Sequence, residues 1–162
     1  MKYLVAAVLS LAAVSAVADT QSLSGFYLGG NLVEVEGSDD IGSWTALEAV
    51  GGYKLNPFVG GEIRVGGAGD SDPNLDVYSS IYYRTEASND TAKAYLLAGY
   101  TVASFSGAGG DREDFDGFSY GAGAGFVINR GFVLNFEVRQ LVKDNDADLD
   151  LTAYSIGFDY RF

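Results

Sequence analysis

Six charged residues, Glu48, Glu62, Arg64, Glu137, Arg139 and Asp159, occupy polar positions within runs that otherwise alternate with apolar residues. Carboxylates and guanidiniums gathered on one face can relay protons, pass ions or pair with one another. Proton transfer near neutral pH is the work of histidine, and the chain has none. It has no cysteine either, which removes thiolate nucleophiles, disulfides and cysteine metal sites. Gly121-Ala122-Gly123-Ala124-Gly125 is glycine-rich, but it lacks the Lys-Ser/Thr pair and the following helix of a phosphate-binding loop. These residues therefore point to neither catalysis nor a cofactor. They point to charges that compensate one another in a confined interior, with ion passage as the alternative.

A second group is acidic. Asp144, Asp146, Asp148 and Asp150 alternate like the start of a calcium loop. Leu149 stands where an EF-hand needs Gly, however, and Ser155 where it needs Glu. The expectation is a weak divalent-cation site or a solvated hairpin tip. Similar acidic stretches recur at Glu34 to Asp40, Gly69 to Asn74 and Ser104 to Asp116. The formal charge of −12 excludes nucleic acid as a partner, since phosphate binding needs clustered Lys and Arg.

The elements that position these residues have a period of two. The last ten residues place Tyr154, Ile156, Phe158, Tyr160 and Phe162 on one face and Ala153, Ser155, Gly157, Asp159 and Arg161 on the other. That is a β-strand with one apolar and one polar face. Seven earlier stretches repeat the pattern. Among them are Phe26 to Leu32, Leu47 to Tyr53, Val59 to Val65, Val77 to Arg84, Ala94 to Tyr100, Tyr120 to Ile128 and Phe132 to Val138. Connections alternate between long acidic loops and the short turns Asn56-Pro57, Glu86 to Asp90 and Asn129-Arg130-Gly131. Glu48, Glu62, Arg64, Glu137 and Arg139 fall at mid-strand. Lys54, Arg84, Lys93 and Arg161 fall nearer the short turns, with Asp159 between.

Eight alternating strands make a barrel, soluble or lipid-embedded. The aromatic residues separate the two. Phe26, Tyr53, Tyr83, Phe132, Tyr160 and Phe162 lie on apolar faces near the short turns, and Tyr100, Tyr120 and Tyr154 near the long loops. Two aromatic rings bracketing an aliphatic band match membrane interfaces. The predicted fold is thus all-β, an eight-stranded antiparallel up-and-down transmembrane barrel over residues 19–162. Residues 1–18 read as a signal peptide: Lys2, then an apolar run, then Ala16-Val17-Ala18 with cleavage between Ala18 and Asp19.

The signal peptide, Gly25-Phe26-Tyr27-Leu28-Gly29-Gly30, the Gly52-Tyr53 pair, inward Glu62 and Glu137, and terminal Gly157, Tyr160 and Phe162 together carry a resemblance. The chain resembles the small OmpA/OmpX-type outer-membrane β-barrel family, without a peptidoglycan-binding domain after Phe162. The resemblance implies location in the outer membrane of a Gram-negative-type bacterium, with outer-membrane lipid and lipopolysaccharide as surroundings. It also implies an assembly signal at Gly157, Tyr160 and Phe162 that the insertion machinery reads. Barrel enzymes of that membrane rely on a histidine that this chain lacks. The expected role is therefore non-enzymatic: structural or surface-interacting around a closed polar interior, with a narrow pore for ions or small solutes as the alternative. No loop motif names an extracellular ligand.

Overall fold

Strict alternation sends successive side chains to opposite sides of a sheet, and eight such strands close on themselves. The computed structural model describes residues 25–37, 43–68, 74–106, 112–129, 131–144 and 149–162. Ala18 and Asp19, and with them the expected signal peptide, lie outside the described residues, as do the tips of the four long connections.

The strands are β1 (Gly25–Glu36), β2 (Ser43–Asn56), β3 (Val59–Ala68), β4 (Asn74–Ser88), β5 (Ala92–Ser106), β6 (Arg112–Val127), β7 (Phe132–Asp144) and β8 (Leu149–Arg161). Each pairs antiparallel with the next, and β8 returns to β1 in a register running from Tyr27↔Arg161 to Glu36↔Thr152. Closure leaves no edge among the paired segments, so backbone donors and acceptors are satisfied between strands, as a lipid environment requires.

The short turns are held by local chemistry. The Asn56 side-chain oxygen accepts from the N–H groups of Phe58 and Val59 at 2.8 and 3.0 Å. Asn89 repeats the arrangement with Thr91 and Ala92 at 2.9 and 2.8 Å. Asparagine favours such turns because its carbonyl stands in for a backbone acceptor. The third short turn uses Gly131 at φ 101°, a left-handed conformation that suits glycine.

The outer face carries the apolar stripe. Leu47, Ile63, Ile81, Leu96 and Phe118 are each about 60% exposed or more. A contiguous band of this kind faces lipid rather than water. Aromatic rings edge it near the short turns, where Phe26 packs on Tyr53 at 4.7 Å, Phe132 on Tyr160 at 4.8 Å and Tyr160 on Phe162 at 5.1 Å between centroids. At the opposite edge Phe118 and Tyr120 lie 6.1 Å apart.

Two expectations change. Strands are longer than the alternating apolar runs, at 10 to 16 residues. Ser104 to Ser106 and Arg112 to Asp116 are strand rather than loop, and so are Glu34, Glu36, Glu86, Asp144 and Asp150. Polar residues continue the hydrogen-bond ladder beyond the lipid-facing band, and their composition alone mimics a loop. Second, the interior is not polar throughout. Toward the long-loop end it is filled by an apolar cluster that includes Val33, Val35, Trp44, Phe105, Leu141 and Leu151.

Candidate functional site: the interior charge network

Below the apolar cluster the lumen holds five carboxylates, Glu48, Glu62, Glu86, Glu137 and Asp159, with the cations Lys54, Arg64, Arg84, Lys93, Arg139 and Arg161. All but Arg161 are buried, and every one lies in an ion pair. Buried charge is tolerated only when compensated and hydrogen-bonded. Interior positions alternate along each strand, so the register of the barrel decides which charges meet.

At mid-height Arg64 is gripped by three carboxylates. Its guanidinium meets Glu137 through two nitrogens at 2.7 and 3.0 Å, Glu62 at 2.6 Å and Glu48 at 3.3 Å. Arg139 stands beside it, with Nη2 2.7 Å from Glu48 and Nε 2.7 Å from Glu137. Asn31 and Tyr78 also donate to Glu48, at 2.6 and 2.9 Å. The planar fork of arginine suits such multiple carboxylate contacts.

Nearer the short-turn mouth Arg84 joins Glu62 to Glu86. Glu86 also takes Lys54 and Arg161, each at 2.8 Å, and Asp159 takes Lys93 at 2.7 Å. Arg84 lies over the Tyr95 ring, 3.7 Å from its centroid.

Three of these carboxylates end rows of the same kind. Tyr27, Gly52 and Glu62 lie in one row across β1, β2 and β3. An ideal Cβ on Gly52 would collide with the Tyr27 ring; the ring occupies that space and donates to Glu62 at 2.6 Å. Tyr78, Gly66 and Glu48 form the second row, and Tyr95, Gly123 and Glu137 the third. In the first two, a glycine lets a tyrosine cross one strand and hydrogen-bond a carboxylate two strands away; in the third, the Tyr95 ring fills the space over Gly123 in the row that ends at Glu137. A fourth row substitutes serine: Tyr82 crosses Gly99 to Ser119, 2.6 Å from its hydroxyl. Gly121 leaves room for Arg139, whose Cγ would be 2.5 Å from an added Cβ.

The structure thus brings Glu48, Glu62, Arg64, Glu137 and Arg139 into one cluster and places Asp159 with Lys93 at its lower edge. Sequence reasoning missed Glu86, which it assigned to a turn. The missed signal was the period of two running on through Tyr82, Arg84 and Glu86. It also overlooked Tyr27, Asn31 and Tyr78 as carboxylate partners. Asp150 is exposed and accepts from Gln140. Asp146 and Asp148 lie outside the described residues, as does the side chain of Asp144. Among the described residues no group of three His, Cys, Asp or Glu is arranged to hold a metal ion. Gly157 sits on β8 opposite Asn31, while Tyr160 and Phe162 point outward into the lower aromatic edge.

No curated protein matches the sequence. Solved structures do. The attachment invasion locus protein Ail of Yersinia pestis, crystallised with the heparin analogue sucrose octasulfate, is 20% identical at TM-score 0.58, over 88% of this chain and 100% of that one. Neisserial surface protein A is 18% identical at TM-score 0.61, over 88% and 100%. The N-terminal barrel domain of Pseudomonas aeruginosa OprF is 12% identical at TM-score 0.68, over 86% and 99%. At these identities the likeness is one of fold. The outer membrane protein beta-barrel domain model matches residues 4–162. On that match, and on the closed eight-stranded barrel with its lipid-facing belt, this chain belongs to the outer membrane protein beta-barrel domain family.

Proposed function

We propose that this outer-membrane barrel is a closed, non-enzymatic envelope protein that acts by presenting its long-loop end at the cell surface, not by conducting solutes. The observation that carries this reading is the filled lumen, packed with apolar side chains toward the long loops and with ion pairs below them. Arg64 and Arg139 span it at mid-height, fully buried and shared among Glu48, Glu62 and Glu137. An eight-stranded barrel is only wide enough for its own side chains. Such a cross-braced core stiffens a platform and leaves no wide path.

What the surface end recognises follows from its charge. Fifteen of the 22 acidic residues belong to the four long connections and the strand ends beside them, offset only by Arg112 and Lys143. Sucrose octasulfate is a polyanion and binds Ail. The acidic rim of this chain suits the opposite chemistry: cationic surfaces, or divalent cations that bridge it to lipopolysaccharide phosphates. During assembly, terminal Gly157, Tyr160 and Phe162 serve as the signal for the insertion machinery.

Planar-bilayer recording tests the closed barrel. Purified, reconstituted protein is expected to show no steady conductance. Large, persistent single-channel currents would replace this reading with a narrow pore.

A further inference from the structure

The polar lumen stops short of the outer mouth. Above Glu48 and Arg139, Val33, Val35 and Leu151 have no exposed surface and Leu141 has 1%. Trp44 meets Phe105 edge-on at 5.6 Å, and Phe105 meets Phe115 at 5.8 Å. No described member of this cluster carries a charge. Tyr78 marks the boundary: its ring belongs to the apolar layer, while its hydroxyl points down to Glu48.

We propose that this apolar layer, and not the ion-pair network beneath it, is the barrel's permeation barrier. The lumen is then a blind vestibule, wetted from the periplasmic mouth only. The inference rests on the closed-barrel reading above and says where the closure lies.

The two layers oppose an ion differently. Within the network, carboxylates, guanidiniums and hydroxyls can replace lost hydration, and partners can exchange for water. Within the apolar layer no described member of the cluster offers a charge to replace it, and narrow apolar constrictions dewet. The polar zone also asks for water. Arg84 Nε, Asn135 Oδ1 and Arg139 Nη1 are buried without a hydrogen-bond partner among the described residues. Buried polar atoms that the protein does not satisfy are satisfied by ordered water. All three lie below the apolar layer. At the lower mouth Arg161 keeps 20% of its side chain exposed beside Glu86, giving water a way in.

The test compares three proteins in planar bilayers: wild type, the double variant Trp44→Ala/Phe105→Ala, and Arg64→Gln, each checked for barrel structure by circular dichroism. The expected result is a silent wild type, a silent Arg64→Gln because the apolar layer stays intact, and conductance steps in the double variant. Conductance in Arg64→Gln, or silence in a folded double variant, overturns the assignment. A conducting wild type fails the closed-barrel reading itself, which is a separate outcome. If the double variant does not fold, the wild type still decides. Trp44 is the sole tryptophan, so emission reports on this layer alone. Blue-shifted emission resistant to iodide on both sides of the membrane supports a dry layer; red-shifted, readily quenched emission overturns it.

Discussion

At the scale of single residues, the network is held by shared partners rather than by isolated pairs. Arg139 is the clearest case, because Glu48 and Glu137 both rest on it at 2.7 Å and all three are buried. Removing one partner of a buried ion pair leaves an uncompensated charge, a loss of roughly 3–5 kcal/mol when burial is complete. Arg139→Ala is therefore expected to lower the stability of the reconstituted barrel by at most that amount in urea titrations, and by less to the extent that lumen water solvates the stranded carboxylates. A change within error would show that water already solvates Glu48. Tyr27→Phe is gentler. It deletes one hydrogen bond to a carboxylate, worth about 1.5–3 kcal/mol, while leaving the ring over Gly52. Denaturant midpoints of the two variants should differ in that order.

At the scale of the strand, β8 separates assembly from stability. Phe162 is 76% exposed and adds one backbone bond, to the Phe26 carbonyl at 3.2 Å, and one ring contact, to Tyr160. Its loss should cost the folded barrel little. If Phe162 is read during assembly, deleting it should leave protein stalled in the periplasm, while the same protein refolds normally from urea into detergent. Cell fractionation and refolding yield check the two halves separately. Normal outer-membrane levels of the deletion would refute the assembly role.

At the scale of the whole molecule, charge is sorted along the barrel axis. The lumen nearly balances its cations and carboxylates, whereas the long-loop end is strongly acidic. Of the fifteen acids there, Glu34, Glu36, Asp76, Glu113, Asp114, Asp116, Asp144 and Asp150 lie on strand ends, so part of the acidity is mounted on the ladder itself. Like charges crowded on one rim repel, and they raise the local cation concentration. Mg²⁺ or Ca²⁺ on the order of millimolar should raise the melting temperature, with stabilisation growing as the logarithm of concentration, as simple linkage requires. Monovalent salt at equal ionic strength screens without bridging. Equal rises in both salts would show only screening and remove divalent cations from the proposed role.

What was legible in the sequence was whatever a single strand decides. Alternation in Tyr154 to Phe162 or Phe132 to Val138 sets which side chains share a face, because the pleat has a period of two whatever the neighbours are, and the two aromatic rings say that the apolar face meets lipid. The lipid-facing belt, the eight strands and the inward direction of Glu62 or Arg139 follow from that local rule. What needed the tertiary structure was everything set by register between strands. Tyr27, Gly52 and Glu62 form a row only because β1, β2 and β3 pair with a particular stagger, and no local pattern states it. Strand ends escaped for a related reason. Above the belt the apolar residues change sides: Val33 and Val35 face inward and Glu34 faces out, so the outward apolar stripe stops, and Glu34 and Asp114 read as loop until cross-strand pairing shows them on the ladder. The apolar layer was hidden as well. Val33, Trp44, Phe105 and Leu151 come from four different strands, and closure of the barrel is what brings them to one height.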